Sequence, residues 1–259
     1  TTMKEVGILA SSYKSENYLK NYLKNVNDQS FKNFDLYFEH IIPSKKEKKI
    51  LKKSNFPDEK IKYSFQKDLI SLPKAWNNII ERSDCKYLCI WNIDDIRTKY
   101  SIEIMYKYLE ENKDKSFAYG NYTIVKKYKS KKGKYINEEG REKELKSSMI
   151  LGPFFMFKKD VIKKIGKFDE QLISGADYDF AMRLGNNFKG GHINTNLGFY
   201  LNSGDGLSTK KESKQEIERT VVELRYNIKV LNQNLVLKAQ DQYDIEYMFV
   251  NDKKIKVLN

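Results

Sequence analysis

Residues 87–97, YLCIWNIDDIR, constrain the fold more than any other stretch of the chain. The apolar run 87–91 predicts a buried strand, and it stops abruptly at Asn92, Ile93, Asp94 and Asp95. A strand that ends in paired carboxylates places both charges at its carboxyl end, the edge of an open α/β sheet where ligands bind. Two adjacent carboxylates repel each other, so a compensating charge is expected beside them. Oxygen ligands suit Mg²⁺ or Mn²⁺, and such an ion would hold a diphosphate. Asp94 and Asp95 equally suit the start of a loop that caps the next helix, a position Asp favours. The rest of the chain weighs between these two readings.

Upstream, apolar runs and helical stripes alternate. Residues 6–10 predict a buried first strand, ending at Ser11, Ser12 and Tyr13. Leu19, Tyr22, Leu23 and Val26 then fall at helical spacing, with Ser15 as the expected cap. Residues 34–42 form a second predicted strand, stopped by Pro43, and a lysine-rich helix follows through Lys53. Residues 61–65 alternate like an edge strand. Ser71 caps a helix that carries Pro73 in its first turn, where a missing N–H costs nothing. Leu72, Trp76, Ile79 and Ile80 make the apolar face of that helix. After the acidic strand end, Ile102, Met105 and Leu109 mark another helix. Strands and helices in this regular alternation imply a mostly parallel sheet covered on both faces.

From Phe117 the pattern changes. Residues 117–125 predict a strand, and 126–134 (KKYKSKKGK) a hairpin tip around Gly133. That lysine run suits a solvated turn, and it also suits contact with an acceptor or an anionic membrane face. Residues 149–157 are apolar and are expected to return to the sheet. Val161, Ile162 and Ile165 form a short helix closed by Gly166. Asp177 and Asp179 sit in a glycine-containing turn before the helical face Phe180, Ala181 and Leu184, which Gly185 is expected to end. Helix capping accounts for such carboxylates; so does a general base facing a cleft. Residues 192–200 predict a last strand, and 202–211 a polar, glycine-rich segment able to close over a ligand. Ile217, Val221, Leu224, Ile228, Leu231 and Leu235 step by four and three, predicting one long amphipathic helix. It is expected to pack on its own domain, although such a stripe also permits a homodimer. Residues 247–257 read as a small hairpin around Asn251 and Asp252.

At 259 residues the chain can bury a sizeable core as one large domain or two intimate halves. No apolar run approaches the roughly 18 residues needed to span a bilayer. The first residues lack the basic head and apolar stretch of a signal peptide. Cys85 and Cys89 lie four apart without a Cys-x-x-Cys pattern, which fits a reducing, cytoplasmic setting. The formal charge of +13 favours anionic partners such as a nucleotide or an anionic membrane face. Nucleic acid is not expected, because arginine is scarce beside lysine and no binding signature for RNA or DNA is present.

In this order the pieces resemble the family 2 glycosyltransferases of the GT-A fold, over about residues 5–210. Val6 opens a stretch, VGILASSYKSENYL, similar to that family's first strand and donor turn. LPKAWNNII (72–80) is similar to its helix with Ala-x-Asn, and WNIDD (91–95) sits where the family has its Asp-x-Asp-Asp metal motif. GADYDFAMRL (175–184) resembles the acidic motif that supplies the base, and LGFYLNSGDGLS (197–208) its tail before a mobile loop. The resemblance implies a Rossmann-like, mostly parallel sheet flanked by helices, with a C-terminal helical extension. It implies a catalytic domain over 1–210, with a nucleotide-sugar half (1–110) and an acceptor half (111–210), followed by 211–259. It also implies inverting transfer of a sugar from a nucleotide-diphosphate donor to an acceptor hydroxyl, in surface glycan biosynthesis. By the same resemblance Asp95 would ligate Mn²⁺ or Mg²⁺ on the donor diphosphate, and Asp94 would contact the donor or support the metal. Asp177 would be the base, with Asp179 and Arg183 bracing its loop. Ser12 and Tyr13 would line the nucleotide pocket, with Lys74 and Asn77 nearby. The acceptor would be a glycan, a lipid-linked glycan or a protein, with room for peripheral contact at the inner membrane face.

The sequence departs from the family pattern at four places. Asn92 replaces the first acidic residue of the metal motif, and Ala176 the Glu that often precedes the base. The second strand ends in Ile42, Pro43 and Ser44 without the usual Asp, and Asn202 lies near where many relatives carry a His. Asn92, Ala176 and Asn202 motivate a second hypothesis: a catalytically inactive nucleotide-binding module of a glycan assembly complex.

Overall fold

The computed structural model describes residues 4–203 and 213–257. Apart from Asn202 and Ser203, the glycine-rich segment expected to close over a ligand lies outside them. The first half alternates as the sequence predicts: β1 (Val6–Ser12), α1 (Leu19–Asn27), β2 (Phe34–Ile41), α2 (Lys45–Lys53), β3 (Ile61–Gln66), α3 (Leu72–Arg82) and β4 (Tyr87–Ile90). A two-residue strand, β5 (Ile96–Arg97), and α4 (Ser101–Glu111) follow the acidic turn. Then come β6 (Phe117–Val125), β7 (Lys134–Ile136), β8 (Phe155–Lys158), α5 (Val161–Ile165), α6 (Ala176–Asn187) and β9 (Gly190–Leu201). The chain closes with α7 (Lys214–Arg225), α8 (Gln233–Gln242) and the hairpin β10 (Tyr247–Val250) and β11 (Lys253–Lys256).

The strands order as β3-β2-β1-β4-β8-β6-β9-β5, with β7 beside β6. β1 pairs in parallel with β2 on one side and β4 on the other, so the strand order reverses at β1. Successive crossovers that leave β1 in opposite directions open a crevice at the strands' carboxyl ends. β8 runs antiparallel to both β4 and β6, and β6 runs parallel to β9. The result is the expected α/β fold: a mostly parallel sheet with helices on both faces.

Alternation along β1 shows how the two faces fill. Val6, Ile8 and Ala10 join Leu19, Tyr22, Phe38, Trp91, Ile102 and Met105 on one side. Leu9 joins Trp76, Ile79, Ile80, Phe157, Phe180 and Val221 on the other. Period-two side-chain direction in a strand buried on both faces requires this division. Local capping agrees. Ser44 and Glu47 form a reciprocal capping box at α2, and Ser71 accepts from the Lys74 N–H at α3, with Pro in its first turn.

Three local expectations are corrected. Ser15 does not cap α1 through its side chain: its hydroxyl turns back to the Tyr13 carbonyl, and its own carbonyl accepts from Tyr18 and Leu19. Gly185 does not end α6, which runs on to Asn187. It stands mid-helix because the Leu145 carbonyl approaches there; a Cβ would lie 2.1 Å from that oxygen. The single long C-terminal helix is two helices. Asn227 takes a left-handed φ of 56° after α7, a conformation Asn tolerates. Asn232 then caps α8 by accepting from the Asn234 and Leu235 N–H groups. Most of the apolar stripe packs within the chain: Val221 is buried, and Leu224, Ile228 and Leu235 pack on the same core, whereas Leu231 is exposed. The small hairpin is present, with Asn251 and Asp252 both at positive φ in its turn.

Candidate active site

The turn after β4 is built from beneath. The Trp91 indole N–H donates to the Asp95 carbonyl at 2.9 Å, the Asp95 N–H to the Asn92 carbonyl at 3.1 Å, and the Tyr22 hydroxyl to the Trp91 carbonyl at 2.9 Å. Arg97 lies buried below, its guanidinium between the Trp91 and Phe154 rings and bonded to the Ile90 carbonyl and the Ser101 hydroxyl. These bonds fix the backbone yet leave the Asp95 carboxylate alone. Both of its oxygens are buried and have no hydrogen-bond partner. Burial, then the Asp94 charge, pushes the Asp95 carboxyl well above the ordinary range; Arg97 opposes this and Asp177 adds to it. Burial raises Asp94 as well.

Asp94 and Asp177 both line one cleft, of about 570 Å³, at the carboxyl edge of the sheet. Small-molecule sites commonly enclose roughly 300–1,000 Å³. Its walls include Tyr18, Trp76, Ile90, Tyr122 and Tyr200. Asp177 stands in the first turn of α6, its Oδ1 held by the Tyr178 N–H at 2.8 Å. Burial lifts its carboxyl to about 6; the backbone N–H groups pull it down, and Glu218 pushes it up.

Glu218 reaches this turn from α7. Its buried Oε1 accepts from the Ser174 and Gly175 N–H groups at 2.9 and 3.1 Å, and its Oε2 from the Tyr243 hydroxyl. Farther along α6, Asp179 faces inward. Arg183 (3.1 Å) and Arg225 of α7 (2.9 Å) flank it, and Arg225 also meets Asp169 at 2.8 Å. Asp179 and Arg183 thus pair within α6, and the C-terminal stretch supplies the second arginine.

The structure separates the other candidates from the cleft wall. Ser12 is buried, and its hydroxyl donates to Glu47, which also meets the His40 ring. Its neighbour Ser11 faces the cleft instead, a one-residue difference that turns a strand side chain to the opposite face. Tyr13 is exposed beside the cleft, outside its lining. Asn77 is buried with its amide bonded to the Phe168 backbone and the Glu170 carboxylate, so it joins α3 to the 168–170 loop. Lys74 pairs with Glu170 at 3.6 Å. Tyr200 was not singled out by the sequence. It lines the same cleft as Asp94 and Asp177, and its phenol is raised to about 12, by burial first and then by Asp95, Asp177 and Asp94. No sequence signal marks it, because β9 gives no clean alternation. Asn202 also lines the cleft.

A divalent ion fits this donor set. Unpartnered buried carboxylate oxygens call for a cation, and burial raises the carboxyls of all three acids above the ordinary range. Among the described residues no group of three His, Cys, Asp or Glu side chains could hold a metal. One or two carboxylates completed by substrate phosphates is the usual way Mg²⁺ is bound.

Residues 8–166 match the model of the Glycosyl transferase family 2. The chain belongs to that family. An uncharacterized glycosyltransferase of Methanocaldococcus jannaschii is 28% identical over 191 residues, covering 70% of this chain and 65% of that protein. The chain therefore spans under two thirds of that relative's length. Among solved structures, S. aureus TarS 1–349 with UDP-GlcNAc superposes with a TM-score of 0.68 at 16% identity, covering 92% of this chain and 72% of the other. Mannosyltransferase PcManGT from Pyrobaculum calidifontis, in complex with GDP-Man and Mn²⁺, gives 0.62 at 11%, covering 92% and 70%. Both likenesses carry the fold. As a family 2 glycosyltransferase, the chain has its matched segment running from β1 to Gly166; α6, β9 and the C-terminal elements lie beyond it.

Proposed function

We propose that this glycosyltransferase moves a sugar from a nucleoside-diphosphate donor to an acceptor hydroxyl, with inversion at the sugar carbon and Asp177 as the base. The observation that carries the reading is the unpartnered carboxylate of Asp95, buried in the turn next to Asp94, which with Asp177 lines the cleft. Asp95, supported by Asp94, would hold Mn²⁺ or Mg²⁺ on the donor diphosphate, where such an ion offsets the charge of the departing phosphate. The remaining steps belong to the chain. The Tyr178 N–H holds Asp177 Oδ1, so Oδ2 is the oxygen left to take the acceptor's proton. A carboxyl near 6 is ionised at neutral pH yet more basic than an ordinary carboxylate. Attack by the deprotonating hydroxyl on the face opposite the leaving diphosphate inverts the sugar carbon. Tyr18, Trp76 and Tyr200 give the cleft aromatic walls that exclude water and orient the donor.

The complexes of TarS with UDP-GlcNAc and of PcManGT with GDP-Man and Mn²⁺ support the donor class and the ion. The resemblance leaves the acceptor as a glycan, a lipid-linked glycan or a protein. The test is a melting-temperature panel of UDP, GDP, CMP and dTDP sugars, each with and without Mn²⁺. A donor at 100 times its Kd adds about 2.7 kcal/mol to the folded state. Stabilisation by one nucleotide class, greater with Mn²⁺, is expected, together with donor turnover lost in Asp95→Asn and Asp177→Asn. Full activity in both variants would sink the site assignment. Binding without turnover of any donor would make the chain a binding module instead.

A further inference from the structure

The lysines are not spread evenly. Residues 45–53 carry six, residues 126–134 carry six, and α1 adds Lys20 and Lys24. All fourteen are exposed. Far apart in sequence, they converge in the fold. Lys20 and Lys24 of α1, Lys46, Lys49 and Lys53 of α2, and Lys129 of the loop between β6 and β7 line one groove, with Glu16 as its carboxylate. Tyr128 of that loop packs edge-on against Tyr18, ring centroids 4.8 Å apart, and Tyr18 is also a wall of the donor cleft. The lysine groove and the cleft therefore share a border.

On the other flank of α2, Lys48 and Lys52 border a second groove with Tyr63 and Phe65. These two rings stack at 5.8 Å on edge strand β3 and remain 40% and 56% exposed. Lysines on both sides of a helix, with exposed aromatic rings among them, suit a lipid headgroup layer. Its anionic surface attracts the ammonium groups, and its interface accepts amphipathic rings. A soluble polyanion would use the charge and leave the rings unaccounted for.

We propose that α2, the β6–β7 loop and the Tyr63–Phe65 pair form one docking face for an anionic lipid bilayer, which brings the cleft entrance at Tyr18 next to the membrane. Docking is a binding event and stands without the transfer reading. If transfer is as proposed, docking would favour an acceptor anchored in that bilayer.

Flotation with vesicles tests it in the absence of donor. The full chain should float with vesicles containing phosphatidylglycerol and not with pure phosphatidylcholine, and salt should release it as screening shortens the reach of the charges. The joint Lys46→Gln, Lys49→Gln, Lys53→Gln and Lys129→Gln variant should lose about tenfold or more in partitioning. Removing the same charge elsewhere, at Lys107, Lys163, Lys229 and Lys253, should leave it nearly unchanged. Phe65→Ala should weaken binding to anionic vesicles and leave binding to soluble polyphosphate as it was. Equal binding by the two lysine variants overturns the proposal, as does equal binding to both lipids. Capture of polyphosphate with no vesicle binding also overturns it, in favour of a polymeric partner.

Discussion

As the proposed base, Asp177 would have to be a carboxylate to act, and it is held where a carboxylate is disfavoured. Its carboxyl near 6 fixes the acid limb of kcat/KM: activity should fall as pH drops through about 6. Asp177→Asn should lower kcat by about 10²–10⁴-fold while donor stabilisation persists, read by turnover and melting on one sample. The stability sign is opposite to the activity sign. A carboxyl raised in the folded state contributes stability at low pH and loses it as pH rises through about 6. Asp177→Asn should therefore melt no lower than the unaltered protein at pH 7. Asp95→Asn follows the same logic: it should stabilise the metal-free chain and abolish the extra stabilisation that Mn²⁺ gives a bound donor. At this scale the acids were legible, because an apolar run ending in Asp94 and Asp95 admits few placements. Which serine faces the cleft was not. Ser11 and Ser12 differ only by strand register, and register is set by β2 and β4, not by the turn itself.

Among the elements, α7 has an effect that its sequence does not announce. Its amphipathic stripe was readable, but no sequence pattern marks which of its polar residues are buried. Glu218 and Arg225 are instead buried, because each meets groups on the loop and helix that carry Asp177. Glu218→Gln keeps an oxygen for the Ser174 and Gly175 N–H groups and removes a charge that raises Asp177. The acid limb of kcat/KM should move below 6 with little loss of stability. Glu218→Ala should be worse in a different way, leaving two N–H groups unpaired at about 1–3 kcal/mol each. Urea denaturation separates the two variants. Arg225→Ala leaves buried Asp169 without its arginine and Asp179 with Arg183 alone, and should cost about 3–5 kcal/mol by the same measurement.

For the whole molecule, the reversal of strand order at β1 puts Ser11 of the first strand and the acidic turn of the fourth on one edge, and α6 reaches the same cleft from beyond the matched segment. The α/β class was legible from alternating strands and helices; the break between α7 and α8 was not, since a left-handed Asn227 leaves the apolar stripe unbroken. The C-terminal stretch is tied to the rest through Asp169, Glu170 and Asp179, down to the Phe249 and Asn251 N–H groups. Deleting residues 213–257 should abolish a cooperative melting transition, measured by calorimetry. Those ties also bear on how this chain can be recombined. A chimera that joins residues 4–203 to the C-terminal stretch of a relative would need a matching carboxylate for the Ser174–Gly175 turn and a matching guanidinium for Asp179. The transplantable unit is therefore the turn and α6 together with the helix that clasps them, and the two should drift in step.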